Sequence, residues 1–149
     1  MDFVQELQNA LLEHFGDKLR IAAADFSKRG CYLDVTASGT DIEAVTSLVD
    51  GLGFTLESIS GIDWPAEDAL ELVYDFNKMA EGGRIAVHVR LSRENPEIPS
   101  ISKIFGGANW HEREAHDMFG IVFSGHPNLI PLLLPEDANF HPLRKDFSA

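Results

Sequence analysis

LELVYDFNKMAEGGRIAVHVRL (residues 70–91) is the stretch that decides the fold. Leu70, Leu72, Tyr74 and Phe76 interleave with Glu71, Val73, Asp75 and Asn77. Beyond Glu81-Gly82-Gly83, Ile85, Val87, Val89 and Leu91 interleave with Arg84, Ala86, His88 and Arg90. A period of two sends successive side chains to opposite faces of a sheet, which the 3.6-residue period of a helix does not do. The glycine pair supplies the turn. Residues 70–77 and 84–91 are therefore expected to pair as an antiparallel hairpin. Leu72, Tyr74, Val87 and Val89 should face a covering layer, and the other side stays polar.

The rest of the chain can be read outward from this hairpin. Phe3, Leu7, Leu11 and Phe15 recur at helical spacing over 2–15, and Gly16 stops the run. Strands are expected at 19–26 and 31–37, the second with Cys31, Leu33 and Val35 on one face. Thr40-Asp41-Ile42-Glu43 has the form of a capping box, opening a helix that turns Ile42, Val45, Leu48, Val49 and Leu52 to one side. Residues 54–62 read as a strand broken by Asp63-Trp64-Pro65. Residues 109–119 read as a helix with Asn109 as N-cap, Glu112 closing the cap and Gly120 as the stop. The order α-β-β-α-β-β-β-α predicts an α+β fold, an antiparallel-rich mixed sheet with helices packed on one face. After residue 120, Pro127, Pro131, Pro135 and Pro142 break any long regular element. The chain is thus divided into an α+β body (1–125) and an irregular, proline-rich C-terminal docking segment (126–149).

Composition narrows the function. A single domain of 149 residues carries a formal net charge of −12, which repels nucleic-acid phosphates and anionic membrane surfaces. One cysteine, Cys31, permits neither an internal disulfide nor an iron–sulfur cluster held by this chain alone. No run approaches the roughly 20 apolar residues that cross a bilayer, and no signal peptide is legible. These features predict a soluble protein of a reducing compartment. The charge is uneven: residues 1–83 hold 16 acids and 5 bases, residues 84–149 hold 8 and 7. A near-neutral surface is the easier one to bury against a partner.

WHEREAHDMFG (residues 110–120) gathers histidines and acids like a metal-binding helix. A zincin helix needs two histidines four apart on one face. His111 and His116 are five apart and diverge by about 140° on an ideal helix. His126 and His141 each precede a proline, which points to loop geometry. Glu114 and Asp117, three apart, could form an acid–base pair. The competing reading pairs Arg113 with these acids. Gly82-Gly83 and Gly106-Gly107 are turns outside any dinucleotide fingerprint.

Taken whole, this half of the chain resembles a known family. Glu112-Arg113-Glu114, Asp117, Phe119-Gly120 and Gly125-His126-Pro127-Asn128-Leu129 match the signature of the thirty-kilodalton subunit of respiratory complex I, the C subunit of bacterial NADH:quinone oxidoreductase. The closing element His141-Pro142-Leu143-Arg144-Lys145-Asp146-Phe147 matches as well. Asp63-Trp64-Pro65, Glu71-Leu72-Val73-Tyr74, Pro99-Ser100-Ile101 and Ala108-Asn109-Trp110 fall where the family places them, so about 63–147 is covered. Ile130-Pro131 departs from the family's usual basic residues. Leu133-Leu134-Pro135-Glu136-Asp137 resembles relatives in membrane-bound nickel–iron hydrogenases and formate hydrogenlyases, with Ala138 where they often have tryptophan.

The resemblance implies a non-catalytic peripheral-arm subunit on the cytoplasmic side of a bacterial or archaeal membrane, without direct membrane insertion. This chain would bind no cofactor, while the complex would use NADH, flavin, iron–sulfur clusters and quinone. Its implied partners are the large hydrogenase-like (49-kilodalton-type) subunit and neighbouring iron–sulfur subunits, met through the motif residues named above. Leu129 to Pro135 must bury its side chains either on its own domain or on a partner. Two alternatives stand beside this reading: the equivalent subunit of a hydrogenase or formate hydrogenlyase, and a metal-dependent hydrolase built on the histidine cluster.

Overall fold

The computed structural model describes residues 2–149. In chain order it contains α1 (Phe3–Phe15), β1 (Arg20–Ala23), a one-turn α2 (Phe26–Arg29), β2 (Leu33–Ala37), α3 (Ile42–Gly51), β3 (Thr55–Trp64), β4 (Ala69–Lys78), β5 (Gly83–Ser92), β6 (Glu97–Pro99), α4 (Ala108–Phe119) and β7 (Val122–Ser124). The main sheet has the order β1-β2-β5-β4-β3, antiparallel except where β2 meets β5. The α+β fold and the hairpin are as expected: Leu72 pairs with Val89 and Tyr74 with Val87, and all four are fully buried.

Register divides the sheet into two faces. Ile21, Val35, Val87, Tyr74 and Ile59 form one row across the five strands, on the covered side. Arg20, Thr36, His88, Val73 and Ser60 form the neighbouring row, on the open side. Phe3, Leu7 and Leu11 of α1, Ile42, Val45 and Val49 of α3, and Ala108, Ala115 and Phe119 of α4 join the covered row in one core. Each large apolar side chain buried here contributes about 1.5–3 kcal/mol, so three helices on one face suffice without a second layer. Two glycines allow the closest approaches. A Cβ on Gly83 would lie 1.8 Å from the Phe3 ring, and one on Gly61 would lie 2.4 Å from the Phe119 ring.

Local readings of the sequence fail where a turn takes another form. Asp41 precedes α3 without capping it; Gly39–Asp41 is a 3-10 turn in which Ser38 Oγ contacts Thr40 Oγ1 (2.8 Å) and Asp41 Oδ2 (3.1 Å). The capping box is therefore absent, because Thr40 already sits within a helical turn. The strand expected over 19–26 stops at Ala23, since Asp25 caps α2 through the Ser27 amide. The strand expected to end at Ile62 runs on through Asp63 and Trp64. The parallel pair of β6 and β7 has no counterpart in the sequence reading, and each strand has only three residues. Here Pro96 precedes the pairing and Pro99 is its last residue, opposite Ser124, and the amides of Ser100 and Val122 extend it with bonds to Ser124 O (2.8 Å) and Pro96 O (2.9 Å).

The core supports one paired prediction. Tyr74 is fully buried, and its hydroxyl has no hydrogen-bond partner among the described residues. Tyr74→Phe should match or exceed wild-type stability in urea, by up to about 1 kcal/mol. Gly83→Ala should lose about 1–3 kcal/mol in the same titration, because the Phe3 ring must move.

Candidate functional site

The motif residues converge on α4 and on what α4 holds. The helix buries its apolar face and, with it, two acids. Glu112 is wholly inaccessible and Asp117 nearly so. A buried carboxylate is tolerated only with hydrogen-bond donors around it. Glu112 accepts from Ser100 Oγ (2.6 Å) and from the Ile101 amide (2.8 Å), which fixes the loop after β6. Asp117 accepts from three successive amides, those of Leu132 (2.9 Å), Leu133 (2.7 Å) and Leu134 (3.2 Å). One turn earlier on α4, Arg113 donates to the carbonyls of Ile130 (3.1 Å) and Pro131 (2.9 Å), its guanidinium lying over the Trp110 ring. The proline-broken segment satisfies little of its own backbone, with Ile130 N on Asn128 O and Ala138 N on Pro135 O, and side chains of α4 meet the amides of 132–134 and the carbonyls of Ile130 and Pro131.

The C-terminal end of α4 uses the tail in return. An α-helix leaves its last four carbonyls without intrahelical partners. Here Gly120, in the left-handed conformation, donates its amide to His116 O. His141 Nδ1 meets Asp117 O (2.9 Å), the Leu143 amide meets Met118 O (3.1 Å), and Arg144 Nε meets Phe119 O (2.7 Å). Residues 141–144 therefore cap the helix from outside it, and the His141 ring packs so closely on Gly120 that a Cβ there would lie 2.8 Å from Nε2. The tail's end is pinned to the sheet. Asp63 accepts both Arg93 Nε (2.8 Å) and Nη2 (3.0 Å) and the Lys145 amide (2.8 Å), while Asp146 pairs with Arg93 at 3.1 Å.

The electrostatics follow these contacts. The bidentate Arg93 holds the Asp63 carboxyl below the ordinary carboxylate range, against the opposing effect of burial. Burial pushes Asp117 up, but the three amide donors outweigh it and hold the group low. Burial pushes Glu112 up, only partly offset by Ser100 and Ile101.

Of the four histidines weighed as metal ligands, three are occupied by the main chain. His126 Nδ1 accepts the Asn128 amide (3.0 Å), so Nε2 carries the proton and faces Asn109 O (3.2 Å). His116 Nδ1 faces Ile121 O at 2.8 Å, and His141 is committed as above. Among the described residues no three His, Cys, Asp or Glu side chains gather as a metal site, and the hydrolase reading has no support in this geometry. The acid–base pair also fails: Asp117 is enclosed, whereas Glu114 is exposed. Arg113 binds carbonyls rather than the acids of its own helix, and Glu112 is a buried acceptor rather than part of a cap, since Gly107 precedes the helix.

A family model described as the respiratory-chain NADH dehydrogenase 30 Kd subunit matches residues 35–149. The chain belongs to that family. The NADH-quinone oxidoreductase C subunit of Chlorobium phaeobacteroides (strain DSM 266 / SMG 266 / 2430) is 51% identical over 90 residues, 60% of this chain and 54% of the relative. The F(420)H(2) dehydrogenase C subunit of Methanosarcina mazei is 43% identical over 91 residues, 60% of this chain and 58% of the relative. The solved trypsin-resistant fragment 1–134 of Nqo5 superposes with a TM-score of 0.68 at 29% identity, covering 83% of this chain and 98% of the fragment. The chain spans about half the length of the curated relatives it matches.

The resemblance read from the C-terminal half thus holds for the family. In this member of the 30 Kd family, Glu112, Arg113, Asp117, His141, Leu143 and Arg144 hold the tail and the loop after β6. Phe119 is seated on Gly61, and Gly125 takes a positive φ of 78° at the turn into the tail. Leu129 and Pro142 are half-buried, while Pro127 and Phe147 are exposed. Motif reading includes Ser100 and Asp63 without giving either a role, and it does not single out Arg93. The one available signal for Asp63 is an acid inside an otherwise apolar strand end, which requires a buried cation nearby.

Two predictions test this site. Asp117→Ala strands three amides and should lower stability by about 2–4 kcal/mol, with faster tryptic cleavage after Arg144 and Lys145. The pH dependence of Glu112 has the opposite sign to that of Asp63 and Asp117. The low aspartates add stability that is complete above their ordinary value of about 3.9 and lost as pH falls through their depressed values. Glu112 is raised, so its ionisation costs stability from about pH 4.3 upward. Urea midpoints of Glu112→Gln should therefore gain on wild type as pH rises from about 4 to 8.

Proposed function

We propose that this chain is a cofactor-free peripheral subunit of a multi-subunit NADH:quinone oxidoreductase, docking the large hydrogenase-like subunit through its C-terminal strap. The observation that carries the reading is the two-sided character of residues 126–147. The underside is fastened to α4 and the sheet by the contacts above. The upper side shows Ile130, Leu133, Phe140, Leu143 and Phe147, five of the eleven exposed large hydrophobic side chains among the described residues. Phe140 and Phe147 stack at 5.6 Å between centroids. Leu129 to Pro135 thereby divides between both expected destinations. Leu129, Leu132 and Leu134 are half-buried on the chain's own body, while Ile130 and Leu133 are left for a partner. Apolar and aromatic residues on an ordered backbone are what an interface core requires.

On this reading NADH, flavin, clusters and quinone belong to other subunits, and the isolated chain oxidises no NADH. Among the described residues no helix is long and apolar enough to cross a membrane. The same reading puts the chain in a peripheral position on the cytoplasmic side of the membrane. The family likeness extends to the F(420)H(2) dehydrogenase relative, so a second assembly with a different electron donor fits the same surface.

The strap caps α4, so deleting residues 128–149 would expose helix carbonyls and Asp117, and loss of assembly would then be confounded with loss of fold. Leu133→Glu with Leu143→Glu alters only exposed positions. Its unfolding midpoint should equal wild type, while retention of the large subunit on purification of the native complex should fall by about tenfold. Full retention of that subunit would place the docking surface elsewhere.

A further inference from the structure

The open face of the sheet lies opposite the three-helix layer, and a groove of about 600 Å³ runs across it. His88 stands on its floor, on the central strand β5. The two ring nitrogens meet carboxylates of both neighbouring strands. Nδ1 lies 3.0 Å from Glu71 Oε1 on β4, and Nε2 lies 2.9 Å from Asp34 Oδ1 on β2. The other oxygen of each acid is also taken. Trp64 Nε1 donates to Glu71 Oε2 at 2.7 Å, and Arg29 donates to Asp34 Oδ2 through Nε (3.2 Å) and Nη2 (3.0 Å). One connected chain of side chains thus runs from α2 through β2, β5 and β4 to the end of β3.

Hydrogen bonding fixes how many protons this ring carries. An ionised carboxylate only accepts, and a neutral imidazole offers one donor and one bare lone pair. A singly protonated ring would aim that lone pair at a carboxylate oxygen, and one of its two contacts would be repulsive. Neither acid can turn aside without loss, since Glu71 would give up the indole and Asp34 would give up Arg29. Charge leads to the same count. Arg29 offsets Asp34, whereas the buried Glu71 has no ion pair among the described residues except with His88. Arg90, opposite Glu71 in the register, is turned to Glu67 and lies over the Trp64 ring. The remaining charged groups around the ring are committed or outlying. Arg84 on β5 pairs with Glu57, Asp75 on β4 accepts from Ser58 Oγ, and Arg20 on β1 is exposed. Burial pushes the Cys31 thiol up and keeps it neutral beside Asp34. Burial also pushes Asp34 up, but the bonds from His88 and Arg29 outweigh it and hold that carboxyl low.

We propose that His88 is held as an imidazolium and acts as a pH-sensitive latch of the open face, its second proton tying α2 to four of the five strands. The latch is closed while both nitrogens donate, and a rise in pH opens it. The break falls at Asp34. The Glu71 side chain is the less exposed of the two acids, 11% against 21%, so it is the costlier one to leave without a donor. Arg29 also still holds Asp34 after the ring lets go. Nδ1 therefore keeps its proton on Glu71, and Nε2 gives its proton to solvent. Its bare lone pair then repels the Asp34 oxygen, Asp34 and Arg29 move off together, and the floor of the groove opens toward α2.

The test is NMR of the histidine rings in the full chain between about pH 5 and about pH 9, a range that spans the ordinary histidine value of about 6.5. At about pH 7 both His88 nitrogens should give the nitrogen shift of a protonated ring. At higher pH Nε2 alone should move to the shift of a bare nitrogen. The Arg29 Nε–H and the Trp64 indole N–H should change with the same midpoint, Arg29 by more. Asp34→Asn puts an amide that can itself donate beside Nε2. In that variant Nε2 should already be bare at about pH 7, with proton affinity at least about tenfold weaker. One bare nitrogen in the wild-type ring at about pH 7 would mean a neutral ring or a proton on Glu71, and would overturn the proposal. So would deprotonation at Nδ1, Arg29 and Trp64 signals that do not follow the ring, or a titration that Asp34→Asn leaves unchanged. No partner subunit enters these measurements, so failure here is distinct from failure of the strap assignment.

Discussion

The last turn of α4 governs the arrangement of everything after it. A helix that ends against the protein must place its final carbonyls, and no residue of its own helix can reach them. In this chain they are met by Gly120, His141, Leu143 and Arg144, of which three arrive after a detour of some twenty residues. The detour is itself a length of backbone with no ladder to join. Asp117 and Arg113 supply it with an acceptor for its amides and donors for its carbonyls. Helix and tail are each incomplete alone, and each supplies what the other lacks.

This reciprocity explains why acids lie on the buried face of α4. An isolated carboxylate in an apolar setting is costly and would simply protonate. Asp117 escapes this because three amides converge on it, so the charge becomes an organising feature. Glu112 has only two donors and deeper enclosure, and its carboxyl is pushed up. The two acids share a helix and differ in titration because one faces a curled backbone and the other a serine loop.

The parts legible in the sequence are those with a local period. The hairpin of 70–91 reveals itself within each strand, and its register follows from the need to bury Leu72, Tyr74, Val87 and Val89 together. α1 and α3 show their faces for the same reason. The cap readings at Thr40 and Asn109 are wrong because identical letters serve a 3-10 turn in one place and a helix interior in the other. The site is legible as a pattern of letters but not as a set of contacts. Asp117 meets amides 15 to 17 positions away, and Asp63 meets Arg93 and Lys145 at separations of 30 and 82. No periodicity encodes such pairings. Arg113 looks like one half of an ion pair because its acids are near in sequence, whereas its partners are carbonyls of the tail.

Ordering the tail also has a consequence for association. A disordered segment must lose backbone freedom when it binds, at about 1–2 kcal/mol per residue, before any contact with a partner counts. Here α4 and Asp63 already impose that order within the single chain. Ile130, Leu133, Leu143 and the stacked Phe140 and Phe147 are held outward on a fixed backbone. A partner meeting this surface would meet a preformed ridge, and more of the apolar contact energy would appear as affinity. On the proposed reading, the buried acids of α4 therefore act on assembly without touching the partner, through the shape they impose on the strap.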